Sequence, residues 1–362
     1  MESTTVDGKI AEITEPTVIQ ANGIHTLPAL MIEGDLVSEG RVPDVAEIVR
    51  LLRNKGLFKS KLFQLRCISV PVDLSEVSAN ALVFAWKIAE KMHSKLEIVY
   101  AMDSIFEGSE PSPSGFLSSY TKTMQTELDA FIRETMKTIG VDYEPPVQLP
   151  GAPGEFAAPE NVQPHIASKV IHGAPDIAIS AYSRQTDLLV MGTTGRGGLG
   201  KKIFGSVSLE VSKIAHCPVL FVPRASEFRG FENVVYASDF ESLNALSVQQ
   251  AVSFTARFDG QIHFVHVGPG GEKNLETQIQ HFESIFSAAG SGKPFLFRKM
   301  VSSDIVPALS EYSFYHRIDL LVFTTHQRDF WDNILHKSVT DEVLMNTERP
   351  ILVIHSDDDM VV

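Results

Sequence analysis

A glycine-rich segment between residues 187 and 208 holds the residues of this chain that are best suited to chemistry. It opens with the apolar run Asp-Leu-Leu-Val-Met-Gly, which is typical of a buried strand, and more glycines precede a predicted helix start at Ser206. A residue without a Cβ atom lets backbone N–H groups approach anionic oxygens, and a helix N-terminus favours an anion. Arg196, Lys201 and Lys202 add positive charge nearby. The pattern predicts a phosphate-binding loop, and a polyphosphate fits it.

Two other phosphate-binding motifs overlap this loop. Residues 195–200 (GRGGLG) satisfy the dinucleotide pattern GxGxxG, although that pattern belongs to the first strand-helix-strand unit and here follows the fourth strand. Residues 195–201 satisfy GxxxxGK, but Lys202 stands where a P-loop needs Ser or Thr for magnesium. A nicotinamide-dependent oxidoreductase and a P-loop are therefore less favoured alternatives.

The segment recurs without a gap 132 residues later, so that Asp187 corresponds to Asp319 and Ser206 to Ser338. The glycines do not recur. Gly192, Gly195 and Gly205 become Thr324, Gln327 and Lys337. The added side chains would occupy the space that phosphates need, so we expect one binding loop in the first copy and none in the second.

Hydrophobic periodicity predicts the elements that position the loop. In the first copy it indicates strands at 67–72 and 96–102 and a helix at 78–92, and in the second copy strands at 234–237 and 262–267 and a helix at 246–257. Each copy closes with a short strand after a proline, at 218–222 and 350–354. Apolar strands alternating with helices predict a parallel sheet covered on both faces.

The first copy is longer than the second in its middle. Asp73 matches Asp239 at an offset of 166, which later falls to 132, so 34 extra residues lie between the second and fourth strands. They fall within 108–163, which contains a helical pattern at 120–138 and a Pro/Gly-rich stretch at 144–164. We expect the latter to be a surface excursion.

Three candidate residues lie at or just past predicted strand ends. In open α/β sheets, ligands bind beyond the carboxyl ends of the strands, where the strand order reverses. Asp73, Ala101 and Gly192 all occupy such positions. For Asp73 alone, a helix-cap or turn role after the strand is the alternative.

These residues resemble the universal stress protein family. Gly192-x-x-Gly195, nine residues and then Gly205-Ser206 is similar to that family's ATP-binding signature, residues 70–75 (VPVDLS) resemble its first-strand motif, and residues 100–103 (YAMD) resemble the end of its second strand. The resemblance implies ATP, with or without Mg²⁺, bound in the first copy. The candidate contacts are Pro71, Val72, Asp73, Ala101, Met191, Gly192, Gly195, Arg196, Gly205, Ser206, Val207 and Ser208.

The resemblance also implies the architecture. It covers 61–362 as two tandem copies, a domain at 61–226 with the ATP loop and a degenerate domain at 227–362. The expected fold class is α/β, with two parallel-sheet domains of the adenine nucleotide alpha hydrolase-like type. Because the family dimerises through its final strands, residues 218–222 should pair with 350–354 in an intramolecular pseudo-dimer, whose second half is the degenerate copy.

Residues 1–60 form an N-terminal extension that belongs to neither copy. Residues 24–34, 36–41 and a predicted helix at 43–55 resemble the second half of a thioredoxin-like domain, with Pro28 where that family has a cis-proline. No CxxC precedes them. The resemblance implies an interaction or dimerisation remnant, and a docked strand-hairpin-helix extension is the alternative.

The composition of the chain argues against some classes of binding partner. A net charge of -14 argues against nucleic acid or an anionic membrane surface. No apolar run approaches a membrane span, no secretory signal is evident, and the histidines lack metal-ligand spacing, so we expect a cytoplasmic protein without a metal site.

The expected function is that of an ATP-binding stress or signalling module. No histidine or carboxylate is placed near the loop to activate water, apart from the distant Asp73, so we predict that the protein is not an enzyme and acts through conformation or oligomerisation, with an unknown protein partner. A nucleotide-free scaffold is the main alternative.

Overall fold

The computed structural model describes residues 13–43, 47–48, 51, 65–103, 114–145, 147–148, 156–157, 164–193, 205–237, 245–270, 276–277, 279–280, 295–324 and 349–355. The N-terminal part contains a short helix and an antiparallel strand pair: α1 (Pro16–Ala21), β1 (Ala29–Ile32) and β2 (Asp35–Glu39). The Leu27–Pro28 peptide bond is cis, at the position that the thioredoxin-like resemblance implies. The predicted helix at 43–55 lies almost entirely outside the described residues.

The first copy alternates strands and helices. Its elements are β3 (Cys67–Pro71), α2 (Glu76–Met92), β4 (Lys95–Met102), α3 (Ser114–Lys137), β5 (Val147–Gln148), β6 (Phe156–Ala157), β7 (Ile166–His172), α4 (Pro175–Ser183), β8 (Leu188–Gly192), α5 (Ser206–Ile214) and β9 (Val219–Val222). The small antiparallel pair β5–β6 lies in the stretch where this copy is longer than the second.

The second copy follows the same order. Its described elements are β10 (Asn233–Ala237), α6 (Ala245–Ala256), β11 (Gln261–Gly268), β12 (Leu296–Val301), α7 (Ile305–Tyr315), β13 (Leu320–Thr324) and β14 (Ile351–Ile354). Hydrophobic periodicity does not indicate the third strands, β7 and β12. Both are edge strands whose side chains are mostly part-exposed or exposed, which removes the apolar pattern that marks the inner strands.

A ten-stranded sheet joins the two copies in the order β12-β11-β10-β13-β14-β9-β8-β3-β4-β7. All neighbours are parallel except β9 and β14, which pair antiparallel with Leu220 opposite Leu352. The predicted pairing of the final strands within one chain is confirmed, and so is the α/β fold of two tandem parallel domains. Apolar side chains pack on both faces of the sheet: Leu188 and Val190 point to one core cluster and Leu189 and Met191 to the other.

The repeated aspartates stabilise the sheet at its amino edge. One oxygen of Asp187, Oδ2, accepts hydrogen bonds from the backbone N–H groups of Arg66 and Cys67, both at 2.9 Å. Asp319 makes the equivalent bonds to Glu232 and Asn233 at 3.0 and 2.9 Å. Each aspartate therefore ties the start of the fourth strand of its copy to the start of the first.

Candidate functional site

The candidate site lies at the carboxyl edge of the first copy. From β3 the chain passes outward through β4 to β7 and then returns to β8 on the other side of β3, so the strand order reverses between β3 and β8. Strands β3, β4 and β8 are parallel and end at the same edge. The structure therefore brings Asp73, Ala101 and Gly192 to the edge and the switch point where ligands bind in such sheets.

Asp73 acts in the turn that starts α2. Its Oδ1 accepts hydrogen bonds from the backbone N–H of Ser75 at 3.2 Å and from the Ser75 hydroxyl at 2.6 Å. Ser75 is the N-cap of α2, in a reciprocal capping arrangement with Ser78, and the intervening Leu74 has a φ of 62°. The turn role considered for Asp73 is thus present, and it fixes the carboxylate at the edge of the site.

Gly192 packs directly against the first turn of α2. A Cβ atom at this position would lie 2.7 Å from Cγ1 of Val77 and 3.2 Å from the Val77 carbonyl carbon and oxygen. The requirement for glycine here therefore comes from strand-to-helix packing, and only the backbone of Gly192 is available to a ligand. Val77 gave no signal in the sequence, because a valine in an apolar helix face looks like any other core residue.

Hydrogen bonds join the described residues at the two ends of the loop. The N–H of Gly205 donates to the carbonyl of Thr193 at 2.7 Å, and the N–H of Thr193 donates to Val222 at 3.2 Å. The Ser208 hydroxyl donates to the Gly192 carbonyl at 3.0 Å, so this side chain positions α5 against β8. Gly195 and Arg196 lie outside the described residues.

Gly205 is the N-cap of α5, with φ -69° and ψ 164° and no side-chain cap. Ser206 is exposed, Val207 is half-buried and Ser208 is buried. The first N–H groups of a helix have no partner within it, so this end is suited to accept an anion.

The remaining candidates form apolar walls. Pro71, Val72 and Met191 are buried, and Ala101 is partly exposed. The N–H of Val72 donates to the carbonyl of Val99 at 2.9 Å, which extends the β3–β4 ladder past the end of β3. The Met191 side chain packs in the core cluster on the α4 and α5 side of the sheet, beneath the carboxyl end of β8.

The second copy ends at the same edge with Thr324, which is buried at the position of Gly192. Asp239, Gln327, Lys337 and Ser338 lie outside the described residues. Within the described ranges, no three His, Cys, Asp or Glu side chains lie close enough to hold a metal ion.

A polar pair away from this edge also distinguishes the copies, and no pattern in the sequence indicates it. Glu97 on β4 accepts a hydrogen bond from the Tyr182 hydroxyl at 2.7 Å, and the corresponding β11 residue, His263, bonds Tyr312 at 2.8 Å. Burial raises the pKa of Glu97, but hydrogen bonds from Lys95 and Tyr182 outweigh it and lower the pKa overall. Burial, with His316 and Arg298 nearby, lowers the pKa of His263 to about 4.

The model of the universal stress protein family matches residues 65–223 and again residues 230–355. The chain belongs to the universal stress protein family. A thioredoxin-domain model matches residues 1–53. The two family matches fall on the two halves of the sheet, while the domain boundaries at 60/61 and 226/227 and the role of the extension stay predictions.

Relatives agree with this assignment, and a solved structure agrees with the fold. A universal stress protein of Methanocaldococcus jannaschii is 32% identical over 160 residues, which are 43% of this chain and 81% of that protein. One from Mycobacterium bovis is 24% identical over 43% of this chain and 47% of its own length, so the match spans about half of that relative. A crystal structure of a universal stress protein from Archaeoglobus fulgidus covers 83% of this chain and 100% of that chain, with 17% identity and a TM-score of 0.54, and supports the fold alone.

None of the described helices combines the length and apolar character that crossing a bilayer requires.

Proposed function

We propose that this universal stress protein binds one ATP, with or without Mg²⁺, at the carboxyl edge of its first domain and responds to it through conformation or association. The observation that carries the proposal is the convergence, at the switch point between β3 and β8, of the capped Asp73 turn, the closely packed Gly192 and the uncapped start of α5. Such a start favours an anion by about 0.3–1 kcal/mol for an exposed charge.

The residues proposed as contacts divide into two groups. The backbones of Gly192 and Gly205, with Ser206, are the proposed phosphate contacts, and the family signature in the sequence adds Gly195 and Arg196 to them. The walls formed by Pro71, Val72, Asp73 and Ala101 face the base and sugar. Val207 and Met191 support them, and the Ser208 hydroxyl positions α5 because it is engaged by Gly192.

The protein is proposed as a binding module and not as an enzyme. Near the described edge the only carboxylate among our candidates is Asp73, and its Oδ1 is engaged with Ser75. A general base must lie within hydrogen-bond reach of the proton that it removes. Steady-state phosphate release at about 1 per second or faster, the ordinary range of enzymes, would contradict this part of the proposal.

The first experiment is to denature the purified protein and identify any released nucleotide by mass, with the ATP-induced melting shift beside it. One ATP per chain is expected. At 100 times the dissociation constant, ligand binding stabilises the folded state by about 2.7 kcal/mol. No released nucleotide and no shift would favour the alternative, a nucleotide-free scaffold, for which the loss of three glycines in the second copy is the supporting observation.

Gly205→Val tests the loop itself. The backbone angles of Gly205 lie in the extended region, which valine adopts without strain, so the fold should persist while ATP binding is lost. Ala174→Val is the matched control, since Ala174 is an exposed N-cap of α4 in the same domain, beyond the edge strand β7.

Gly195→Val should also abolish ATP binding, and Lys337→Gly should not create a second ATP site. Retained affinity in both glycine variants would mean that the loop does not hold the phosphates, and preferential binding of a dinucleotide would favour the oxidoreductase alternative.

A further inference from the structure

The linker between the two domains lies along one face of α2. Four α2 residues at helical spacing contact it in succession: Glu76, Asn80, Phe84 and Lys87. Glu76 forms an ion pair with Arg224. The Asn80 side-chain amide donates to the carbonyls of Pro223 and Ser226 at 3.0 and 2.9 Å.

Aromatic packing continues this contact. Phe84 meets Phe228 edge-to-face with ring centroids 5.4 Å apart, and the Lys87 ammonium lies 5.8 Å from the centroid of the Phe228 ring. Four consecutive positions on one helix face therefore hold residues 223–228, which we call the strap.

The strap continues into the second domain. Phe228 contacts Phe231 at 5.4 Å, and Phe231 packs on Phe254 and Phe258 of the α6 region at 5.5 and 4.9 Å. Phe231 is buried, and a Cβ atom on Gly260 would lie 2.1 Å from its carbonyl oxygen. The backbone at Phe231 therefore packs closely against the second domain, just as the strap packs closely against α2.

The first turn of α2 is also part of the candidate nucleotide site. Ser75 caps this turn and donates to Asp73, and Val77 packs against Gly192. Glu76 and Asn80, which hold the strap, lie within one turn of Val77 on the same rigid helix. A displacement of this first turn would therefore change the hydrogen bonds from Asn80 to Pro223 and Ser226, because well-packed elements transmit displacement.

We propose that α2 couples nucleotide occupancy at the first domain to the strap and through it to the second domain, with Asn80 as the main positioning residue. This inference rests on the proposed function. Nucleotide that fixes the turn after β3 also fixes α2 and tightens its contacts with the strap. Coupling is reciprocal, so loosening the strap must weaken nucleotide binding by the same factor.

The test measures ATP affinity by calorimetry and amide hydrogen exchange across residues 224–231 with and without ATP, on the full chain. We expect ATP to slow exchange in the strap of the wild-type protein. Asn80→Leu keeps the branched shape of the side chain but removes both donors. It should weaken ATP binding about 5-fold or more, a typical coupling factor, and abolish the ATP-dependent protection. Lys91→Leu, in the last turn of the same helix, is the control that should change neither.

Phe228→Ala provides a second variant through a different contact and should act in the same direction. If ATP binds but does not slow exchange of the strap amides, the coupling is refuted while the proposed function stands. The same holds if both Asn80→Leu and Phe228→Ala keep the wild-type affinity for ATP. If the wild-type protein binds no ATP, the proposed function fails and the coupling fails with it.

Discussion

Replacing Gly192 by alanine tests whether the end of β8 is held against α2 as closely as the structure indicates. The new methyl group would lie 2.7 Å from Val77 Cγ1 and 3.2 Å from two backbone atoms of the same residue. Attractive contacts between carbon atoms are optimal at about 3.5–4.0 Å. Valine has little rotamer freedom in a helix, and the backbone of a capped first turn cannot withdraw easily. We therefore expect the overpacking cost of about 1–3 kcal/mol that small-to-large core changes produce.

Urea unfolding of the first domain measures this cost. The chain has two tryptophans, Trp86 on α2 and Trp331, so a Trp331→Phe background makes Trp86 the reporter of the first domain. With a typical slope of about 2 kcal/mol per molar urea, a loss of about 2 kcal/mol lowers the unfolding midpoint by about 1 M.

Val77→Ala supplies the second half of a double-mutant cycle. Alone it should destabilise the domain, because Val77 is buried. Combined with Gly192→Ala it removes the closest clash but leaves the backbone contact at 3.2 Å, so the pair should be less destabilised than the sum, by about 0.5 kcal/mol or more. A Gly192→Ala stability within about 0.5 kcal/mol of wild type would refute the packing argument. If ATP binding were lost in that stable variant, the glycine would instead be required by the ligand.

Three further predictions concern residues outside the site. Asp187→Ala should cost about 1–3 kcal/mol in urea unfolding, because it leaves the N–H groups of Arg66 and Cys67 without an acceptor; a neutral effect would contradict the clamp. The lowered pKa of His263, about 4 against 6.5, means that its contribution to stability is present above pH 6.5 and is lost as pH falls toward 4, so His263→Gln should flatten the acid side of the melting-temperature profile. Burial, followed by the charge of Glu97, raises the pKa of the Cys67 thiol from 9.0 to about 12, so iodoacetamide at pH 8 should modify it only after unfolding, and rapid labelling of the folded chain would contradict this.

The inner strands could be predicted from the sequence and the outer ones could not. Strands such as β8 and β13 are buried on both faces, so their apolar runs stand out in the sequence. Strands β7 and β12 border the sheet and carry lysine and arginine side chains at exposed positions, which hides them. The internal repeat alone does not predict that β9 pairs with β14. That pairing could be predicted because a family resemblance indicated which strands pair.

The positions of Asp73 and Gly192 at strand ends could be predicted from the sequence, but their contacts could not. The glycines and Asp73 follow strand ends, and that position is readable from periodicity. The partner of Gly192, the residue Val77, lies on a separate helix, and Asn80 contacts Pro223 across 143 residues of sequence. Such contacts depend on how α2 lies over the sheet, which no local pattern specifies. The bond between His263 and Tyr312 was missed for the same reason.

The two copies differ at the carboxyl edge and agree at the amino edge and in the sheet, and this distribution indicates what the second copy retains. Asp187 and Asp319 make the same pair of backbone bonds, whereas Gly192 has become Thr324. Strand β9 is fully buried only because β14 pairs with it, and alone it would be an apolar edge of the kind that aggregates. A second copy that has lost its glycines but keeps its clamp and final strand still completes the sheet on which the first copy depends. In the coupling proposed above, the strap is the route by which a ligand at the first carboxyl edge acts on the second domain.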